Sequence, residues 1–255
     1  MYQDNVESLA YDIAFWMAGF KDEHYPLDEL GDLSLQLSSK FRAIAIMLLL
    51  AKVDVDRFNH NLIRSARARL SYLERLHEHK VIEDHHQVSG RIDPVLDAIV
   101  AREFKLVEKI FQLLPSTWQP PREYEDDFCY AQLIAELVKP SPVKQRVEAL
   151  LEQYEQYLAG DACPRLDLCR ALYEGDQLAF DGSFESLLAQ RELAIEADKA
   201  RGQLEEPEVL ALRAIYIEGL AMLRLAEARG LTIQHEYLFC PSIARQLSRT
   251  PFPGE

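Results

Sequence analysis

Apolar residues recur every three or four positions along almost the whole chain, the spacing that gathers them on one face of an α-helix. Clear examples are Phe41, Ile44, Ala45 and Leu48; Val147, Leu150, Leu151, Tyr154 and Leu158; and Leu212, Ile215, Tyr216 and Leu223. No segment shows a convincing strand-like alternation of apolar and polar residues. The pattern therefore predicts an all-α fold.

Helix boundaries follow from prolines and glycines. Asp93-Pro94, Ser141-Pro142 and Glu206-Pro207 resemble helix starts, and Gly90, Gly160, Gly175 and Gly230 resemble helix ends. The predicted helices are Asp4–Phe20, Glu29–Lys52, Asp56–His79, Pro94–Ala101, Glu103–Leu114, Tyr124–Lys139, Pro142–Ala159, Arg165–Glu174, Gln177–Arg201 and Pro207–Arg229. Because several connections are very short, we expect an irregular array of about ten antiparallel helices arranged as stacked hairpins.

Two regions are expected along the chain. Residues 1–80 form an N-terminal helical bundle, and residues 92–248 form a helical-hairpin array packed on it as one continuous globular unit. Residues 79–91, rich in polar side chains, are the candidate exposed loop between them. No fixed repeat period or repeat signature is present, which argues against a regular solenoid.

Charge narrows the possible partners. The 255 residues include 28 Lys and Arg against 42 Asp and Glu, a formal net charge of −14. This balance argues against a nucleic-acid or anionic-membrane surface and favours a cationic protein partner.

The N-terminus has no secretory signal pattern. The longest fully apolar run, 44–51, is too short to cross a bilayer, and the four cysteines lack a disulfide pattern. We therefore expect a cytoplasmic protein with reduced thiols and no membrane span.

The densest chemical feature is an acidic segment at Glu123, Glu125, Asp126 and Asp127, directly after Pro120 and Pro121 and before an apolar helical stripe. Carboxylates favour the first turn of a helix, where backbone N–H groups lack partners. Four carboxylates exceed what capping requires. We therefore expect some of them to face outward and to bind a basic partner, while structural capping remains an alternative for each one.

A metal site is the main alternative for the histidines. His77, His79, His85 and His86 cluster near the end of the third helix, and both Glu74-Arg75-Leu76-His77 and Glu83-Asp84-His85-His86 have Glu-x-x-His spacing. Di-metal bundles need two such motifs on facing helices, whereas these lie nine residues apart across a predicted helix end. We expect a solvated polar loop and no bound metal.

No catalytic signature is present. The chain lacks a Gly-x-Ser-x-Gly elbow, a phosphate-binding glycine loop and a His-Glu-x-x-His motif, so we expect no catalytic residues, no cofactor and no enzyme activity. The third helix carries Arg57, Arg64, Arg67, Arg69 and Arg75 on several faces. Most of these are expected to be solvated or paired with acids of neighbouring helices, and Trp16 and Trp118 are expected to pack in the core and at a helix end.

Three segments together resemble a known family. The first is Asp97-Ala98-Ile99, followed by Phe104 and Trp118, and the second runs from Glu123 through Tyr130. The third is Arg170-Ala171-Leu172 with Gly175, Asp176 and Phe180. Near the end of the chain, residues Gly219 through Ala226 are followed by Tyr237 and Pro241. In this order the features resemble the Immunity protein 49 family, from about Leu37 to Ala244. Members are all-α proteins encoded beside polymorphic or interbacterial toxins.

The resemblance implies that the chain binds and blocks a cognate toxin, so the expected partner is a toxin domain, basic in charge. Two other classes of function stay open: a helical scaffold or adaptor for a different partner, and a metal-dependent helical enzyme. Genomic neighbourhood would separate the first from an immunity protein, and elemental analysis would reveal the second.

Overall fold

The computed structural model describes residues 2–81, 84–202 and 206–253. Within these ranges the chain forms eleven α-helices, one short 3-10 helix and no strand, which confirms the all-α prediction. The helices are α1 (Tyr2–Lys21), α2 (Leu27–Lys52), α3 (Val55–Glu78), α4 (Asp93–Val100), α5 (Phe104–Gln112), α6 (Glu125–Leu137), α7 (Lys144–Leu158), α8 (Pro164–Glu174), α9 (Gln177–Ala200), α10 (Pro207–Ala214) and α11 (Ile217–Ala228), followed by the 3-10 helix Ser242–Arg245.

Helix starts follow local chemistry: the predicted starts at Asp93-Pro94 and Glu206-Pro207 are found, whereas α7 begins at Lys144, two residues after the predicted Pro142. Asp54 caps α3 by accepting the Arg57 backbone N–H at 2.9 Å, and Asp176 caps α9 by accepting the Ala179 N–H at 3.0 Å. Helices α4, α8 and α10 each carry a proline in the first turn, where its missing N–H costs no hydrogen bond. These residues fix where the helices begin.

The antiparallel pair α2 and α3 forms the centre of the fold. The Ser34 hydroxyl donates to the carbonyl of Ala68 at 3.2 Å, and the Ser38 hydroxyl donates to the carbonyl of Ser65 at 2.9 Å. The partner number falls as the α2 number rises, so the two helices run in opposite directions. Helix α2 is long and apolar enough to cross a membrane, but 67% of its most apolar window is buried inside the protein, as in the core helix of a globular fold.

The prediction that residues 79–91 form an exposed loop is wrong for the C-terminal half of this segment. Val88 and Ser89 are buried, and the Arg69 guanidinium donates to the carbonyl oxygens of His86 and Val88 at 2.7 and 3.1 Å. Because buried backbone carbonyls need hydrogen-bond donors, an arginine from α3 holds this loop inward. Two residues of the loop, Ile82 and Glu83, lie outside the described residues.

The predicted last helix is interrupted at Ile215 and Tyr216. The Tyr216 backbone N–H donates to the carbonyl oxygen of Phe239 at 2.9 Å, so the C-terminal segment supplies a bond that a continuous helix would have formed internally. Beyond Arg245 the chain returns to α3, where Asp56 accepts the backbone N–H of Arg249 and the hydroxyl of Thr250. This segment closes the fold onto the start of α3.

A single cluster of buried apolar side chains extends from Leu9 to Ala244. Helix α4 packs on α3 and α11, and α10 packs on α2, so helices on both sides of the 79–91 loop contact one another. The division into residues 1–80 and 92–248 stays a prediction.

Candidate functional site: the acidic helix start and the charged cleft beside it

The acidic segment lies where α6 begins, as predicted. Tyr124 is the N-cap, and Glu125, Asp126 and Asp127 form the first helical turn. All four carboxylate side chains are half-buried. The segment is therefore partly an internal structure, and its role in partner binding stays a prediction.

Three of the four carboxylates have partners inside the chain. Glu123 Oε2 accepts the Gly90 backbone N–H at 2.8 Å, and Glu125 Oε1 accepts a hydrogen from Gln153 Nε2 at 2.7 Å. Asp127 lies 3.8 Å from Arg165. Gly90 is the close-approach point, since a Cβ there would lie 2.9 Å from the Asp127 Cβ, so its role is contact with α6 and not the helix end expected from the sequence.

The local electrostatics leave negative charge undercompensated. Burial raises the pKa of Glu123, and burial together with the charge of Asp126 raises the pKa of Asp127. Asp126 makes no hydrogen bond or ion pair to any described side chain, and its Oδ1 atom is buried without a partner. A cation from outside the chain would stabilise this group of carboxylates.

A charged cleft adjoins the acidic segment and consists of three neighbouring cavities. The first, of about 330 Å³, is lined by Glu123, Tyr124 and Asp127; the second, of about 340 Å³, shares Gly90, Arg91 and Asp127 with it. The third, of about 250 Å³, shares Arg42 and Asp93 with the second and extends to Arg191, Tyr216 and Glu218. A larger cavity of about 650 Å³ lies elsewhere, between α1, α2 and α3.

One wall of the cleft is built on a buried ion pair between α2 and α4. Arg42 donates two hydrogen bonds to Asp97, from Nε at 2.7 Å and from Nη2 at 2.9 Å, and the Ser65 hydroxyl donates to the same carboxylate. Burial is the largest single influence and would lower the pKa of the Arg42 guanidinium, but the charges and hydrogen bonds of Asp97 and Asp93 together outweigh burial and raise this pKa. Burial raises the pKa of the Asp97 carboxyl, and the Arg42 charge acts in the opposite direction. Together with Ser65, the pair joins three helices.

The opposite wall holds a second network, centred on Glu218 of α11. Arg165 donates to Glu218 from Nε at 2.6 Å and from Nη2 at 2.9 Å, and the hydroxyls of Tyr130 and Tyr216 donate to it at 2.9 and 2.8 Å. The Arg165 guanidinium also lies over the Tyr130 ring, 4.8 Å from its centroid. This network fixes α6, α8 and α11 around the cleft.

Sequence reasoning missed these network residues as parts of a site, although a signal existed for one of them. Asp97 is the only charged residue within the apolar stretch from Pro94 to Val100, and such a residue must have a buried partner.

Arg69 lies in the apolar stripe of α3, between Ala66 and Leu73, and is completely buried. Arg69 is an exception to the expectation that most of the α3 arginines are solvated or paired with acids, because its hydrogen bonds go to backbone carbonyls.

The histidine-rich region shows no assembled metal site within the described ranges. No group of three or more His, Cys, Asp or Glu side chains there is placed to hold a metal ion. His86 packs against Gly31 of α2, and burial lowers the pKa of its imidazole. Glu83, which starts the second Glu-x-x-His motif, lies outside the described residues, and the absence of a bound metal stays a prediction.

The cysteines beside the cleft are poor nucleophiles. Burial raises the pKa of Cys129 to about 12, and burial also raises the pKa of Cys169. A thiol reacts as the thiolate, so neither group is activated near neutral pH.

The geometry of the site is suited to holding charged groups in fixed positions, and the exposed part of the acidic segment is available to a partner.

The comparison with protein families assigns the chain. The family model described as Immunity protein 49 matches residues 43–244, which covers α3 to α11 together with both charged networks except Arg42. No curated protein and no solved structure gives a significant match. The resemblance seen in the sequence is confirmed, and this chain belongs to the Immunity protein 49 family.

Proposed function

We propose that this chain is an immunity protein that binds a cognate bacterial toxin domain and neutralises it by stoichiometric protein–protein interaction in the cytosol. The observation that carries the proposal is the family match over residues 43–244. The function requires a stable surface and no turnover. The helical core and the two charged networks supply a rigid scaffold for such a surface.

The charge of the chain favours a basic toxin domain. Its formal net charge is −14, and the start of α6 concentrates four carboxylates, one of which, Asp126, has no partner in the described part of the chain. Opposite net charges accelerate association and disfavour wrong partners. The acidic segment at Glu123, Glu125, Asp126 and Asp127 is the part of the surface that we assign to this role.

Co-expression tests the proposal as a whole. An immunity gene is expected directly downstream of its toxin gene, so the toxin domain encoded next to this gene is the probe. Co-expression should rescue cells from that toxin and not from unrelated toxins, and the two proteins should co-elute at a fixed ratio. Cell death despite full expression of the folded chain, with no co-elution, would refute the proposal.

The acidic segment is tested by charge reversal. Glu125→Lys combined with Asp126→Lys should slow association with that toxin and make its rate less dependent on salt, because electrostatic steering is removed. The matched control is Glu185→Lys with Glu192→Lys, which makes the same charge change at exposed positions on α9. Stopped-flow association rates that change equally in both double variants would show an effect of net charge alone.

A further inference from the structure

Exposed aromatic side chains are concentrated around the start of α6. Tyr124 is 73% exposed, Tyr157 is 44% exposed and Trp118 is 37% exposed. In the described part of the chain, the other exposed large aromatic side chains are Tyr11 and Phe15, both on α1. Helix capping explains carboxylates at a helix start but does not explain rings left in water beside them.

These side chains form one patch, which we call the aromatic–acidic patch: Trp118, Tyr124, Glu125, Asp126 and Tyr157. Gln153 and Tyr157 are one turn apart on the same face of α7, and Gln153 is hydrogen-bonded to Glu125. The Trp118 indole N–H donates to the carbonyl oxygen of Glu123 at 3.1 Å. The charge of Asp126 is the largest of the causes that raise the pKa of the Tyr157 hydroxyl.

The patch combines a negative charge without a partner and flat π-surfaces. A guanidinium group can bind to both features, since it pairs with carboxylates and stacks on aromatic rings. An ammonium group is more strongly hydrated and stacks less well on aromatic rings. The chain uses the same combination internally, where Arg165 binds Glu218 and lies over Tyr130. The cavity that Tyr124 lines also contains Arg91 and Arg122. A cation is therefore favoured beside Asp126 and Tyr157, which do not line that cavity.

We infer that the aromatic–acidic patch is the anchoring surface for arginine side chains of the toxin domain, with the guanidinium stacked on Tyr124 or Tyr157 and paired with Asp126. The inference rests on the proposed function for the identity of the partner. Tyrosine and arginine are the residues that most often dominate binding energy at protein interfaces. The patch is the place where this chain offers tyrosines to such a partner.

The first test measures the affinity of the toxin domain encoded by the neighbouring gene. Tyr124→Ala with Tyr157→Ala should weaken binding about 30-fold or more, the factor expected when a dominant interface residue is lost. The matched control is Tyr11→Ala, a tyrosine that is 77% exposed on α1, and it should bind like the wild type. Unchanged affinity of the double variant, with a native circular dichroism spectrum, would overturn the inference.

The second test does not depend on the toxin. Trp118 is one of two tryptophans, so Trp16→Phe leaves it as the only tryptophan reporter in the patch. At low salt, hexa-arginine peptide should shift Trp118 fluorescence saturably, hexa-lysine should bind more weakly, and hexa-glutamate should give no shift. Tyr124→Ala with Tyr157→Ala in this background should weaken hexa-arginine binding about threefold to tenfold.

The two tests separate the failure of the proposed function from the failure of the patch. If wild-type protein does not bind the toxin domain, the proposed function fails and the peptide result alone decides whether the patch selects guanidinium groups. Equal hexa-arginine binding by the wild type and the tyrosine double variant would overturn the patch in either case.

Discussion

At the scale of single residues, the cleft depends on two carboxylates that have been removed from water, since the Asp97 side chain is 0% exposed and the Glu218 side chain 8%. Arg42 with Asp97 and Arg165 with Glu218 each form a two-bonded guanidinium–carboxylate pair, and further hydroxyl donors fill the remaining acceptor positions of the carboxylates. Such pairs give little net stability compared with well-packed apolar residues, but the loss of one partner leaves a buried charge uncompensated. Their contribution is to fix the relative positions of the helices that line the cleft.

Asp97→Asn should lower the free energy of unfolding by about 3–5 kcal/mol, because the amide keeps the shape of the side chain but leaves the buried Arg42 charge with only the exposed Asp93 as a carboxylate partner. Asp93 is the control, since it also pairs with Arg42, at 3.2 Å, but its side chain is 72% exposed. Asp93→Asn should cost less than about 1 kcal/mol. Urea unfolding of both variants measures the difference, and equal losses would contradict the assignment of Asp97 as the buried partner.

Glu123 should make the protein less stable as pH rises through the carboxylate range. Its folded-state pKa is raised by burial above the unfolded value of about 4.3, so the folded state holds the proton more tightly. The protonated form therefore adds stability below the unfolded pKa, and this contribution is lost as pH rises through the raised folded pKa.

Glu123→Gln should remove that pH-dependent contribution. The amide oxygen can still accept the Gly90 N–H, and the buried charge is eliminated, so the variant should be at least as stable as the wild type at pH 7. Melting temperatures measured from pH 4 to pH 7 should fall less steeply with rising pH than those of the wild type. Marked destabilisation of the variant at pH 7 would show that the charge itself stabilises the 84–91 loop.

At the scale of helices, most boundaries could be predicted because they follow from local chemistry. The starts of α4 and α10 were marked by prolines, and the end of α8 by Gly175, whose positive φ of 71° suits a residue without a side chain. The break between α10 and α11 could not be predicted. Its cause is the distant Phe239 carbonyl oxygen, which accepts a hydrogen bond from the Tyr216 N–H. No pattern in the local sequence predicts that contact.

The candidate site was predictable to the same limited extent. The acidic turn was evident because carboxylates, prolines and an apolar stripe stand together in the sequence. The cleft was not evident, because Arg42, Asp97, Arg165 and Glu218 are brought together by the packing of four helices from distant parts of the chain. Pattern reasoning finds which face of a helix is buried but not which distant helix covers it.

Gly219→Ala should destabilise the junction between α11 and the C-terminal segment. A Cβ at Gly219 would lie 2.6 Å from Cys240 Sγ and 2.9 Å from the Tyr216 ring, closer than packed atoms allow. We expect a loss of about 1–3 kcal/mol, the usual cost of overpacking a buried site.

Gly182→Ala is the matched control for this prediction. Gly182 lies within α9, and a Cβ there would meet no atom within 4 Å. Alanine should therefore stabilise the helix by about 0.5–1 kcal/mol through its better helix propensity. Thermal unfolding of the two variants should shift in opposite directions, and a stabilised Gly219→Ala variant would refute the close packing.

At the scale of the whole molecule, charged and exposed aromatic groups meet around the start of α6. The core extends from α1 to the 3-10 helix, the C-terminal segment returns to α3, and the acidic start of α6 is bonded both to the 84–91 loop and to α7. A preorganised surface binds tightly because little conformational freedom is lost on association. This arrangement supports an immunity protein that acts by holding its target.

The most direct measurement is a titration of the neighbouring toxin domain's activity with purified immunity protein at concentrations well above the dissociation constant. Stoichiometric neutralisation predicts a linear loss of toxin activity that reaches zero at one chain per toxin, with the toxin recovered intact after separation under denaturing conditions. Complete protection far below one equivalent, or full toxin activity in the presence of excess folded protein, would contradict the account.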